Sequence, residues 1–495
     1  MPLANIRIIL IVVIISLICL SRTSIREQVL LNAYRKIQQV AFVAPSERDV
    51  FEGALEGMTA KLREEYGDGY SAFENAKDQR RIRDNLENQL VGLGVSMLPV
   101  GQLQGVQLFP LPNSPALESG VKYGDLLLKI DGDDVTGLSL GEISQKLAGE
   151  SGSQVTLLVR HFDLDEEAEL IVTRARMHLP SVLGDRIDRD GKWNYTLETA
   201  SDIGYVAIDK TFSDTTAIEV AKALAELNMA NVKGVVIDLR GNPGGYLNAA
   251  VNMCNLFLNK GTIVSTQQRD MSDTITAKGI AIWDKPVVVL IDAYSASASE
   301  IVAACLQDHE IAVVIGARSY GKGTVQEMIK LPLEMGTLRL TKAEYLRPSR
   351  KNINRRANST DDDEWGVMPN EGYALALSNQ QATITYRIRN LRAIIPGEEL
   401  DRQVERLVQR VQEGELYLVD DSQMLLDDGV PLVELPDDET TLDEVESSES
   451  VGLSDTEKND KDKKPFVLEG TPPYYDPQLN LAIEYLQMAT ASVTK

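Results

Sequence analysis

A serine acts as a nucleophile only when a base can take its proton and positive charge waits for the oxyanion it creates. The string Tyr294-Ser295-Ala296-Ser297-Ala298-Ser299-Glu300 offers three serines between two apolar runs, Val287 to Ile291 and Ile301 to Leu306. The first run reads as a strand and the second as a helix, which puts the string at a helix N-terminus. Unpaired N–H groups and the positive end of the helix dipole there favour an alkoxide and a tetrahedral oxyanion. The chain has three histidines, His161, His178 and His309. His309 falls at the far end of the same helix, about 15 Å away at ~1.5 Å per residue, so a histidine base is not expected. A lysine serves instead if burial lowers its pKa from ~10.4 to about 7–8, a change worth about 4 kcal/mol. Lys322 suits that role, because its neighbours Gly321 and Gly323 have no side chains and let it enter a closed space.

The same lysine belongs to a rival pattern. Gly316 to Lys322 matches G-x-x-x-x-G-K after a strand, and Val287 to Asp292 looks like a strand ending in a Mg²⁺-holding aspartate. However, Gly323 stands where a phosphate loop needs Ser or Thr, and Val325 to Ile329 opens no helix that could point at phosphates. Phosphate binding is set aside. Taken singly, each remaining residue also has an ordinary reading. Ser297 with Glu300 makes a capping box, Lys322 a solvated turn lysine and Gln326 a strand residue.

In order along the chain, Ser295 to Ile301, Leu306-Gln307-Asp308 and Gly321-Lys322-Gly323-Thr324-Val325-Gln326 resemble the signature of the carboxyl-terminal processing peptidases, the tail-specific proteases. The resemblance implies Ser297 as nucleophile, Lys322 as general base and Gln326 as the residue that orients the lysine. It extends to Asp238-Leu239-Arg240-Gly241-Asn242-Pro243-Gly244-Gly245. This implies one oxyanion donor from Gly244 or Gly245 and another from the backbone of Ala298, with Asp238 and Arg240 fixing the loop. Gly92-Leu93-Gly94-Val95, Ser114-Pro115-Ala116, Gly120, Gly124-Asp125 and Ile130-Asp131-Gly132 resemble a PDZ domain. There the amides of Gly92 to Val95 would capture a peptide's C-terminal carboxylate while the peptide adds as a strand. Gly57-Met58, Tyr345 to Ser349 and Asp476-Pro477-Gln478-Leu479 also fit the family. Two departures are local: Arg350 replaces a glycine expected after Ser349, and Arg355 to Trp365 is a polar insertion.

These residues need a scaffold. Arg7, the uncharged run Ile8 to Leu20 and Arg22 read as a signal peptide or membrane anchor over residues 1–22. Residues 23–90 read as helical, with Ser46 and Asp49 at a helix start and a stripe of Phe51, Leu55, Met58 and Leu62. Short alternating runs make residues 91–176 a β-rich module, the expected PDZ domain. Across residues 185–380 strands alternate with helices, the pattern of an α/β protease core. Leu400, Val404, Leu407, Val408 and Val411 mark a helix within a C-terminal helical segment, residues 381–433. Residues 434–470 form an acidic linker, with twelve acids and four lysines between Glu434 and Lys464. Residues 471–495 carry a helix with Asp476 as cap, Pro477 at its first position and a stripe of Leu479, Ile483 and Leu486, expected to dock back on the body.

The 495 residues carry 50 Lys+Arg against 74 Asp+Glu, a net charge of −24 that repels phosphate backbones and excludes nucleic acid as the main partner. Three cysteines, Cys19, Cys254 and Cys305, and three histidines are too scattered for a zinc site. The sequence therefore predicts an exported α/β serine endopeptidase, with no cofactor or metal, acting on proteins or peptides with free C-termini. It would be periplasmic or otherwise extracytoplasmic, and anchored where residues 1–22 are retained. The resemblance implies a ClpP/crotonase-like core with an inserted PDZ domain and helical N- and C-terminal segments, and leaves room for a homo-oligomer. An inactive PDZ scaffold and a crotonase-like acyl-CoA enzyme are the alternatives, the second needing no Ser297/Lys322 pair.

Overall fold

The computed structural model describes residues 24–43, 45–99, 106–161, 166–188, 192–332, 335–356, 358–395, 400–401, 404 and 476–493. The expected signal or anchor (1–22), the acidic linker (434–470) and the part of the C-terminal helical segment beyond residue 404 lie outside the described residues. Contacts group the chain into two units, Met1–Gln79 with Gln326–Thr341, and Arg80–Val325 with Lys342–Lys495.

In the first unit, the helix Ile25–Val40 opens with a reciprocal capping box between Ser24 and Glu27. The helix Glu47–Tyr66 starts where Ser46 Oγ accepts from Asp49 N, and ends at Gly67 with φ 65°. Its buried residues are Leu55 and Thr59, one turn apart, while Met58 is exposed. The expected apolar stripe is thus narrower, because Met58 falls on the outer face. The short strand Ala72–Glu74 pairs antiparallel with Thr337 to Arg339.

In the second unit, strands Gln89–Gly92 and Ala175–His178 pair as a two-stranded ribbon. Between them lies a sheet of β1 (Val95–Pro99), β2 (Val106–Pro110), β3 (Asp125–Ile130), β4 (Gln154–Arg160) and β5 (Glu167–Thr173), in that order and antiparallel. Period-two burial explains it: Val155, Leu157 and Val159 of β4 point inward onto α1 (Leu140–Leu147), whose Ile143 and Leu147 complete the same core. β1 is an edge strand, so one side of its backbone is available to a further strand.

The second sheet runs β6 (Val182–Leu183), β7 (Ile203–Ile208), β8 (Gly234–Asp238), β9 (Val287–Ile291) and β10 (Ala312–Gly316). β6 is antiparallel to β7 and the other pairs are parallel. Parallel neighbours need crossovers, supplied by α2 (Thr216–Met229) after β7, α3 (Leu247–Cys254) after β8 and α4 (Ala298–Asp308) after β9. Because strand order follows chain order, all three crossovers return over one face, where Val206, Val235, Ile237, Val287 and Val289 meet the helices. The alternate residues Tyr205, Val236, Val288 and Leu290 face the other way. They are covered by α5 (Pro477–Val493) through Leu479, Ala482 and Leu486, all fully buried.

Candidate active site

Two loops at the carboxyl ends of adjacent parallel strands build the site: Leu239–Tyr246 after β8 and Asp292–Ser297 after β9. This is the end of an open α/β sheet where ligands bind. Buried and half-buried side chains lace the two loops together. Asp292 Oδ1 accepts from Gly241 N (2.9 Å) and Tyr294 N (3.0 Å). Burial raises the Asp292 pKa, against the pull of those backbone bonds. Asn242, fully buried, donates from Nδ2 to the carbonyls of Ile208 (2.6 Å) and Lys210 (2.7 Å), while its Oδ1 accepts from Gly244 N (2.9 Å).

The three serines separate by their surroundings. Ser295 Oγ donates to the Leu239 carbonyl (2.8 Å), and Ser299 Oγ reaches Asn242 O (3.0 Å) and Oδ1 (2.9 Å). Both are fully buried fasteners of the neighbouring loop. Ser297 is half-buried and sits at φ 54°, ψ −110°, a conformation L-residues avoid unless their surroundings impose it. The sharp elbow lifts Ser297 off the sheet end as the free Ala298 amide, the first of α4, follows.

Gly244 (φ 99°) lies directly against that elbow. A Cβ there would fall 2.8 Å from Ser297 Cβ and 2.8 Å from Ala298 N, so only glycine fits. Gly245 is pressed to the backbone of Phe212, whose carbonyl would stand 2.4 Å from an added Cβ. The Gly244 amide is engaged by Asn242. Among the described residues the Gly245 and Ala298 amides have no hydrogen-bond acceptor.

Glu300, which sequence reasoning reads only as half of a capping box, is the hub. It is fully buried. Its Oε2 accepts from the backbone N–H of both Ser297 (2.8 Å) and Lys322 (2.8 Å). Its Oε1 accepts from Gly321 N (2.7 Å) and Ser319 Oγ (2.5 Å). One carboxylate thus fastens the backbones of residues 297 and 322, 25 positions apart in sequence. Burial lifts its pKa to about 7, and the four donors oppose that rise.

Lys322 is half-buried between two glycines that have no room for side chains. A Cβ on Gly321 would meet Arg355 Cβ at 2.7 Å, and one on Gly323 would meet Asn354 N at 2.2 Å. The insertion therefore packs on the lysine turn, with Arg355 N donating to Gly321 O (2.8 Å). Residues 324–330, weighed above as the helix of a phosphate loop, form a strand, and Gln326 lies on it four residues beyond Lys322. His309 caps α4 and holds the Thr262 carbonyl through Nε2 (2.7 Å).

Asp238 and Arg240 form a buried ion pair. Burial would raise the Asp238 pKa, but Arg240 and Arg389 outweigh it and hold the carboxyl well below the usual range. The distant strings Gln307-Asp308 and Tyr345–Ser349 also meet, through a two-toothed Arg347–Asp308 pair (2.6 and 2.9 Å) at the C-terminal end of α4. In the β module, Gly94 (φ 71°) packs where a Cβ would lie 2.5 Å from Ser114 Cβ, and Gly92 pairs with Ala175. Leu93 is buried in the module's core and Val95 begins edge strand β1, so this loop faces outward only through its backbone.

Sequence profiles of peptidase family S41 and of the PDZ domain match residues 202–370 and 110–161. A carboxy-terminal-processing protease of Bartonella bacilliformis is 36% identical over 329 residues, 65% of this chain and 71% of that protein. One from a Picosynechococcus strain is 30% identical over 322 residues, 65% of this chain and 74% of that protein. The solved structure of a photosystem II D1 C-terminal processing protease is 26% identical, covering 70% of this chain and 86% of that one with a TM-score of 0.39. An α/β core whose two strand-end loops meet at one serine, together with a PDZ domain and relatives of this length and identity, makes the chain a serine peptidase of family S41, a member of the carboxyl-terminal-processing proteases.

Proposed function

We propose that the protein is an endopeptidase in which Ser297 attacks the scissile carbonyl and Lys322 takes its proton. The observation that carries this reading is the shared Glu300 carboxylate, which ties the backbones of these two residues together at the head of α4. As Ser297 Oγ bonds to the carbonyl carbon, its proton moves to a neutral Lys322 Nζ. The negative charge on the carbonyl oxygen is received by the Gly245 and Ala298 amides, with the α4 dipole behind them. Collapse of the tetrahedral intermediate breaks the C–N bond, and the leaving amine takes the proton back from Lys322. Water, deprotonated by the same lysine, then releases the acyl group and restores Ser297. Gln326 orients the lysine, as the family pattern implies.

The PDZ domain selects substrates by their free C-termini: the peptide adds to edge strand β1, and the amides around Gly94 hold its carboxylate. We place the enzyme outside the cytoplasm on the strength of the uncharged run Ile8 to Leu20 between Arg7 and Arg22.

The test is hydrolysis of an unfolded protein such as casein. Ser297→Ala is expected to abolish turnover and cost no more than a lost helix cap, ~0.5–2 kcal/mol. Lys322→Arg, which keeps the charge but does not deprotonate, is expected to be as inactive as Lys322→Ala. A turning-over Ser297→Ala or Lys322→Arg protein would overturn the assignment.

A further inference from the structure

The guanidinium of Arg240 has five N–H groups, and all five are matched. Nε donates to Asp238 Oδ1 (3.0 Å), and Nη2 to Asp238 Oδ2 (2.7 Å) and Asp476 Oδ2 (2.7 Å). Nη1 donates to Asp476 Oδ1 (2.9 Å) and Gln478 Oε1 (3.0 Å). Asp238, Arg240, Asp476 and Gln478 are all buried. Two of the three acceptor residues thus arrive from α5, 236 and 238 positions further along the chain. Asp476 also caps that helix, accepting Leu479 N on Oδ1 (3.0 Å), so the helix start and the clamp share one carboxylate.

The clamp bears on the chemistry through the loop that follows. Arg240 O accepts from Arg389 Nη1 (3.0 Å), its N–H is held by Asp238 Oδ1 (3.0 Å), and the next residue, Gly241, is tied to Asp292. Four residues after Arg240 the chain reaches Gly244, packed against Ser297 with no slack for even one added carbon. The charges are paired as well: Arg240 stands against Asp238 and Asp476, and Arg389 against Asp238 and Asp209, which also pairs with Lys210. Removing the Asp476 charge leaves the buried Arg240 guanidinium with one carboxylate in place of two, five residues before the Gly245 amide.

We propose that Asp476 is a positioning residue for proteolysis: α5 delivers its capping carboxylate to Arg240 and so sets the Gly244–Gly245 loop against Ser297. This rests on Gly245 and Ala298 as the oxyanion donors. α5 is then part of the active-site scaffold as well as the cover of one sheet face, and its two roles lie on different residues. Leu486 packs on the sheet, and Asp476 holds the loop.

The experiment compares full-length wild type, Asp476→Asn and Leu486→Ala, each assayed about 20 °C below its own melting temperature. The readouts are peptide kcat and KM, and inhibition by a peptide aldehyde whose adduct with a serine carries a tetrahedral oxyanion. For Asp476→Asn a fall in kcat of about 10- to 100-fold is expected, with KM within about threefold and aldehyde affinity falling in step with kcat. Leu486→Ala is expected to melt lower but keep kcat and aldehyde affinity. Asp476→Asn with wild-type kcat, or Leu486→Ala losing kcat equally, would reduce Asp476 to a structural cap and overturn the proposal. Wild type that is not inhibited by the aldehyde, and not labelled by a serine-directed phosphonate, would instead overturn the reading of the site itself.

Discussion

Replacing Glu300 with glutamine tests whether one carboxylate holds the nucleophile and the base in register. Glu300 receives four donors, two on each oxygen, which fills its four lone-pair positions. Glutamine keeps one acceptor oxygen and turns the other side into a donor. Backbone N–H groups cannot accept from it, so on one flip the Ser297 and Lys322 bonds both fail, and on the other the Gly321 bond fails while the Ser319 hydroxyl turns to accept. One or two lost hydrogen bonds at about 1.5 kcal/mol each make about 1.5–3 kcal/mol, which is about 10- to 10²-fold if it falls on the transition state. The wild-type carboxyl, lifted by burial to about 7, makes the same point with pH. Above that value it is ionised and holds all four donors. Below it, a proton occupies one lone pair and displaces a donor, so kcat should fall as pH drops through about 7.

Stability should move the opposite way. A carboxyl raised from 4.5 to about 7 binds its proton more tightly in the folded state. Its contribution is fully present below pH 4.5 and is lost as pH rises to about 7, a change of about 3 kcal/mol. In Glu300→Gln the Glu300 contribution should vanish from both profiles: the acid limb of kcat is reduced to the proton uptake of the Lys322 base alone, and the melting temperature loses that downward slope. A glutamine variant with kcat within threefold of wild type and the same pH limb would refute the reasoning.

Three further outcomes are expected. Gly244→Ala puts a carbon 2.7 Å from Ala296 O and 2.8 Å from Ala298 N at φ 99°, so kcat should fall at least about 10²-fold, with ~1–3 kcal/mol of stability lost; an active variant would show that the loop does not meet Ser297 as described. In full-length Ser297→Ala protein, fluorescence anisotropy should show a peptide with an apolar C-terminal residue binding about tenfold more weakly once amidated, and equal binding would remove carboxylate capture from the PDZ domain. Arg350 sits at φ 69°, so Arg350→Gly should raise stability by about 1 kcal/mol in thermal melts unless its Nη1 bond to Ser265 (3.1 Å) is worth as much.

The sequence by itself determined the parts whose signal is local. Val287 to Ile291, Ala298 to Asp308 and Ala312 to Gly316 follow from apolar runs, a helix start and short turns, so the α/β class was legible. The order of the serine, lysine and glycine strings carried the family. Even Arg350, noted as out of place, proved to stand in a conformation that favours glycine. The family resemblance pointed to Ser297, but the physical difference among the three serines is tertiary: Ser295 and Ser299 are bonded to the neighbouring loop, and Ser297 stands at a strained elbow. Tertiary structure alone decided that Glu300 spans to Lys322, that Asn242 ties two loops, and that Asp476 reaches Arg240. The same local signals mark Glu300 and Asp476 as caps whether or not they have a second partner. A capping residue is read from its nearest neighbours, whereas a bond to a residue tens or hundreds of positions away depends on the packing of whole strands, helices and loops, which local sequence patterns do not encode.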